Sequence, residues 1–389
     1  MKIRTPRKID VILQDRERLR YPALKDLHAL VTGVPSPQTP LRNWTPHGAL
    51  LRDLGWLAGG MAAAGFGAAA LPVAGLAAPL AAATMVSGIA LTIGRLRRFV
   101  VGHTHEATHG VPAIWYEQNG MSQAKALWVC EAILDFGSAL TLTLNGQDYR
   151  EKHGPHHDYD VGTLGDPDGE TLNGWSLWPG KLRGGSFYGT VAYDLLGWRW
   201  HLTFLGDRLA SNFFKGRVGR RLLAAAVAAG LLAPMAILPF PVWLAMIGLP
   251  WTVGYHIAAA LQSLTEHPYG FDRRAANDEE YKARTWQRYP YRPMPEPGLS
   301  GLRALRAWAG WTLAMVGHVA ARTMVYDDTM IHHRFHHNAW PDGVPFYDWW
   351  NTPHHYVAWI LANPELEELA VWGMPEALAL QKARMERQV

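Results

Sequence analysis

Charged side chains are absent from two long stretches of the chain, residues 54–94 (41 residues) and 222–265 (44 residues). A helix that crosses ~30 Å of hydrocarbon needs about 20 apolar residues at 1.5 Å rise. Each stretch therefore has the length of two crossings with almost no loop. Pro72 marks the first turn, so 54–71 and 76–93 are the predicted legs. In the second stretch 222–238 runs into Pro239-Phe240-Pro241, and the return leg continues from Val242 to about Leu261. Soluble core hairpins are the alternative, but a soluble helix normally keeps a polar face.

Between the stretches, 124–144 reads as an amphipathic, interfacial helix. The Gly-, Pro- and Asp-rich segments 162–174 and 289–301 read as loops. The expected class is all-α: a four-transmembrane-helix integral membrane protein of two apolar hairpins with a cytoplasmic helical cap. Its parts are an N-terminal segment 1–53, hairpins 54–94 and 222–265, and cap portions 95–221 and 266–389.

Composition sharpens this picture in two ways. The remaining 304 residues carry all 37 basic and 33 acidic side chains, close to the ~25% charge of soluble domains. A near-neutral mean hydropathy thus averages two media. Flanking basic residues set the orientation: Arg42, Arg52, Arg95, Arg97 and Arg98 around the first hairpin, and Lys215, Arg217, Arg220, Arg221, Arg273 and Arg274 around the second. Neither hairpin turn holds a Lys or Arg, so both ends of both hairpins are expected on the cytoplasmic side. The protein is then an integral plasma- or inner-membrane protein, or the equivalent. The 18 Trp and 14 Tyr suit an interfacial belt.

The single cysteine, Cys130, excludes a disulfide scaffold and a cysteine-based metal site. A net charge of +4 without one basic patch gives no ground for nucleic-acid binding. The first residues lack an apolar core, so no cleavable secretory signal is expected.

The anomaly is histidine, 18 in all. His105-Glu-Ala-Thr-His109 sets two imidazoles on one helical face. His153-Gly-Pro-His156-His157 and His333-Arg-Phe-His336-His337 repeat an HxxHH spacing, and His267 lies where the second hairpin ends. Pro155 disfavours a helix interior, so a helix beginning at Pro155, with His153 on the loop before it, is expected. His103 lies ~200° of helix from His105 and should face away, while His332 yields to His333 in the HxxHH register. His354 and His355 read as structural. All nine candidates would share one side of the bilayer. One ion takes three or four protein ligands, so nine imidazoles point to two first-row metals. Nitrogen donors without thiolate favour iron, zinc or copper.

With HEATHG at 105–110, KHGPHH at 152–157, Asp166-Pro-Asp168, QSLTEH at 262–267 and HHRFHHNAWPDGVPFY at 332–347, the chain resembles the membrane fatty acid desaturase superfamily. That resemblance, over about 50–350, implies four transmembrane helices, a cytosolic cap holding two iron ions, and O2-dependent attack on an unactivated C–H bond. Desaturation is the first reading, hydroxylation or oxidative decarboxylation of a lipid the second. A membrane zinc hydrolase is the rival outside this class, and a non-catalytic metal-binding or carrier protein the last alternative.

Glu106, Asp158, Glu266 and Asp342 adjoin the boxes and could orient ligand imidazoles from behind. His256, three turns before His267, and Gln262 are expected to line a channel for a fatty acyl or lipid-like substrate from the bilayer. Without a GxGxxG fingerprint, a cysteine cluster or a cytochrome-like module, electrons are expected from a separate ferredoxin, rubredoxin or cytochrome with its reductase.

Overall fold

The structure is a computed structural model and describes residues 6–36, 38–326, 331–337, 348–363 and 369–386. Helix dominates it. Four helical stretches are long and apolar enough to cross a membrane: Pro46–Val73, Gly75–Thr108, Val218–Ala236 and Phe240–Glu266. Three of them contain a predicted leg and run beyond it, and Val218–Ala236 overlaps the leg 222–238, starting four residues earlier and ending two earlier.

The first begins at Pro46, where the Thr45 side chain accepts from the Gly48 amide at 3.0 Å and proline occupies the first turn. It therefore carries Asp53 inside the helix. The second does not stop at the arginines. It continues through a π-helical segment, Phe99–Thr104, into His105–Thr108. Charges are tolerated there because they pair. The Asp53 carboxylate, with no exposed surface, meets Arg52 at 3.0 Å, Arg95 at 3.2 Å, Arg98 at 3.1 Å and His103 at 2.9 Å. Several of the arginines that flank the apolar stretch are thus also tied into a buried network.

Small residues let these two helices touch along their backbones. A Cβ at Gly88 would lie 2.2 Å from the Ala64 nitrogen, and one at Gly67 would lie 2.4 Å from that of Met85. Rising numbers on one helix meet falling numbers on the other, so the pair is antiparallel. The last stretch is interrupted by π segments at Leu244–Gly248 and Pro250–Gly254 before Tyr255–Glu266 resumes the α-helix. Pro250 cannot donate to the preceding turn, which accounts for the local loosening.

Three sequence expectations change in the region between. The interfacial helix spans Gln123–Leu140 and stops short of 144, because Leu142 takes φ 51° and Asn145 caps the next helix. That next helix, Gly146–His156, passes straight through Pro155, so His153 is helical rather than on a loop. Proline fits because it sits in the final turn, where little helix remains to be distorted. The segment 162–174 is not all loop: Asp166 caps a helix over Pro167–Gly174 by accepting from the Asp168 amide at 2.9 Å. An Asp-Pro start signals a helix N-terminus as readily as a turn.

A further helix, Gly301–Met324, packs across the C-terminal end of Ala78–Arg98. Gly94 allows that crossing, since a Cβ there would sit 1.8 Å from the Thr323 carbonyl oxygen. The only strands among the described residues are Gln287–Arg288 and Ala370–Val371, which pair in parallel. They tie the C-terminal part to the buried aromatic cluster of Tyr289, Tyr291, Tyr326, Phe335 and Tyr356.

Candidate metal centre

Four segments deliver histidine to one place. His105 and His109 lie one turn apart where the Gly75–Thr108 helix ends. His153, His156 and His157 come from the end of Gly146–His156, His267 follows Glu266 in extended backbone, and the His333–His337 helix supplies the rest. The nine imidazoles form two groups. One holds His105, His109, His153, His157 and His336; the other holds His156, His267, His333 and His337. Within each group the ligand atoms lie within 4.8 Å of one another.

The division follows helix geometry. Each HxxHH box sends its i, i+4 pair to one group and its i+3 residue to the other. His153 and His157 join the first group while His156 crosses to the second. His333 and His337 belong to the second while His336 crosses to the first. Adjacent residues on a helix diverge by about 100°, so each His-His dipeptide serves both groups and binds them together.

The nitrogens that converge are Nε2. In the second group His267 Nε2 stands 3.2 Å from His156 Nε2 and 3.1 Å from His333 Nε2, which is 2.7 Å from His337 Nε2. In the first, His105 and His336 approach to 2.6 Å, His109 and His153 to 3.0 Å, and His157 and His153 to 2.8 Å. The opposite nitrogens are held from behind. His156 Nδ1 donates to Asp166 at 3.1 Å, His267 Nδ1 to the Arg284 carbonyl at 3.1 Å, and His337 Nδ1 to the Tyr281 hydroxyl at 2.9 Å. Fixing the proton on Nδ1 leaves the Nε2 lone pair facing inward. Converging lone pairs have no mutual donor, whereas a cation satisfies all of them. The donor set therefore fits metal ions.

Electrostatics agree. Burial, reinforced by neighbouring imidazoles, lowers His153, His267, His333, His336 and His337 well below the usual histidine range. Burial likewise pushes His109 down to about 4. Neutral imidazole is the ligating form. His156 is the exception: burial opposes its charge, but Asp166, then Asp168 and Glu266, raise it to about 10. A metal on that nitrogen takes the place of the proton.

The carboxylates predicted beside the boxes fare differently. Glu266 reaches the inward side, with Oε1 3.0 Å from His333 Nε2, and so stands where a ligand would, rather than behind a ring. Asp158 turns away to Arg274 at 2.8 Å, drawn by an exposed cation. Glu106 is buried. Asp342 lies outside the described residues. Asp166 was not among them, although the Asp-Pro-Asp pattern ten residues past His156 contained it. Asp166→Asn should leave the helix start intact, since asparagine caps as well as aspartate. It should weaken metal retention by roughly 10–100-fold, as read by metal loss to a competing chelator.

His103 turns to Asp53, and His332 to the Gly33 carbonyl at 2.8 Å, so neither joins a group. Beside the groups lies a cavity of about 290 Å³. His105, His153, His156 and Glu266 form one part of its wall, and Trp175, Trp200, Phe204 and Tyr255 form another. Gln262 lines it. His256 does not: its ring is hydrogen-bonded to Arg208 at 2.7 Å and His201 at 3.2 Å, a contact between helices beside the cavity.

A family model described as fatty acid desaturase matches residues 82–294, more than half of the chain. The match takes in the first two boxes and His267; the third box follows it. No curated protein and no solved structure matches the chain.

Proposed function

Because this chain belongs to the fatty acid desaturase family, we propose that it is a membrane oxidoreductase holding two iron ions. It uses O2 to attack an unactivated C–H bond of a fatty acyl or lipid-like substrate, with desaturation as its reaction. The observation that carries this reading is the division of nine imidazoles into groups of five and four. A mononuclear zinc hydrolase uses one ion with three protein ligands and an open position, which leaves such a division without purpose.

When bound, two iron ions supply the redox chemistry that couples O2 to removal of hydrogen from carbon. The chain supplies the rest. Asp166, the Arg284 carbonyl and Tyr281 fix the ligand tautomers, and Gln262 steadies Glu266 through contacts of 3.4 Å to both carboxylate oxygens. The aromatic wall excludes water and sets which carbon lies nearest the histidines. That positioning separates a second hydrogen loss, which gives an alkene, from hydroxylation or decarboxylation at the same site.

The proposed orientation puts the histidines and both termini on the cytoplasmic face, within reach of a separate ferredoxin, rubredoxin or cytochrome with its reductase. Lipids from cells expressing the chain, grown with and without O2, test the reaction. New alkenes are expected only in the aerobic cells. An alcohol or a shortened hydrocarbon in their place would assign the alternative reaction, and equal product without O2 would overturn the reading.

A further inference from the structure

Two arginines line the cavity beside the histidine groups, and neither has a carboxylate in contact among the described residues. Arg97 and Arg208 are 5% and 3% exposed. Their guanidinium carbons stand 5.2 and 4.7 Å from the centre of the same ring, that of Tyr255. Among the described residues, no carboxylate oxygen lies within 4 Å of either. Arg208 gives its protons to the carbonyls of Thr141, Leu142 and Trp251 and to His256. Those partners are neutral. Burial pushes Arg208 down to about 10, with Tyr255 opposing and Arg97 adding to the effect.

Arg97 is less committed. It donates to the Tyr255 hydroxyl at 3.1 Å and to the Gln262 amide oxygen, and its Nε is buried without a partner. A guanidinium offers five N–H donors, so most of the fork is unused. Three acidic residues also border the cavity, each directed elsewhere. Glu266 faces His333, Asp168 lies 3.7 Å from His156 and feels Arg97 only across the cavity, and Asp207 is exposed. Two buried cations without a carboxylate in contact cost free energy that an anion in the cavity recovers.

We propose that Arg97, with Arg208 behind it, is the binding site for the carboxylate of an apolar carboxylic acid whose chain occupies the cavity against Trp175, Trp200 and Phe204. This deepens the oxidoreductase reading and rests on it for the identity of the reaction: the substrate is an acid bearing a free carboxylate rather than an ester or thioester. The planar fork of Arg97 matches a carboxylate in two-point contact, and the aromatic wall suits the hydrocarbon attached to it.

Equilibrium binding to the full-length purified protein tests this without turnover, with octanoate, octan-1-ol and octyl phosphate as probes. Wild type should bind octanoate about tenfold or more tightly than octan-1-ol. Arg97→Gln should lose that preference while keeping its affinity for the alcohol. Arg97→Lys, which preserves the buried charge, should still prefer the acid but lose several-fold in octanoate affinity, and it serves if the glutamine variant does not fold. Equal wild-type affinity for acid and alcohol, an unchanged preference in Arg97→Gln, or tighter binding of octyl phosphate than octanoate would overturn the proposal. Wild type that lacks the preference but keeps O2-dependent turnover removes only this site; wild type that shows the preference without such turnover removes only the oxidoreductase reading.

Discussion

His333→Ala should empty the four-histidine group of metal while leaving the five-histidine group able to load. His333 is central to its group. Its Nε2 is 3.1 Å from that of His267, 2.7 Å from that of His337 and 3.0 Å from the Glu266 carboxylate. Partners behind a ligand are worth 10–100-fold in affinity or activity, so removing the ligand should cost more than about 100-fold in turnover. Metal per purified chain should fall by about half. Unchanged metal content and turnover would show that the buried group is not a metal site. His332→Ala, beside it in sequence but bonded to Gly33, should keep its full metal content.

The second large effect is on stability. Asp53→Asn removes the carboxylate that meets Arg52, Arg95, Arg98 and His103. Arg98 is 1% exposed, so its charge would stay buried without the Asp53 carboxylate. Breaking a buried pair in this way costs about 3–5 kcal/mol, and thermal unfolding in detergent should show a markedly lower midpoint. The network joins the Pro46–Ala70 helix to the segment leading to His105. Metal retention should therefore weaken along with stability. An unaltered midpoint would mean that the arginines do not depend on Asp53.

Much of the site was legible because it is built from local spacing. An i, i+4 pair shares a helical face wherever the helix is placed, so His105 with His109, and His333 with His337, were readable as pairs. The charge-free stretches were equally plain, since apolar length is a property of the chain alone. Partition between the two groups was harder to read. It depends on which way His156 and His336 turn relative to their neighbours, and on helices more than a hundred residues apart meeting at a set angle.

Proline misled twice for one physical reason. Its effect depends on position within a helix, so Pro155 is harmless in a last turn and Pro167 favourable in a first. For a carboxylate, adjacency in sequence says nothing about reach. Asp158 next to His157 is taken by Arg274, whereas Asp166, ten residues past His156, comes back to its ring. That Arg97 and Arg208 meet no carboxylate within 4 Å is likewise a tertiary fact, visible only once their surroundings are known.

The central claim is that nine imidazoles hold a pair of iron ions. Elemental analysis of the purified wild-type chain tests it most directly. About two iron ions per chain is the result expected from groups of five and four ligands. A single zinc per chain, with turnover that persists without O2, would contradict it.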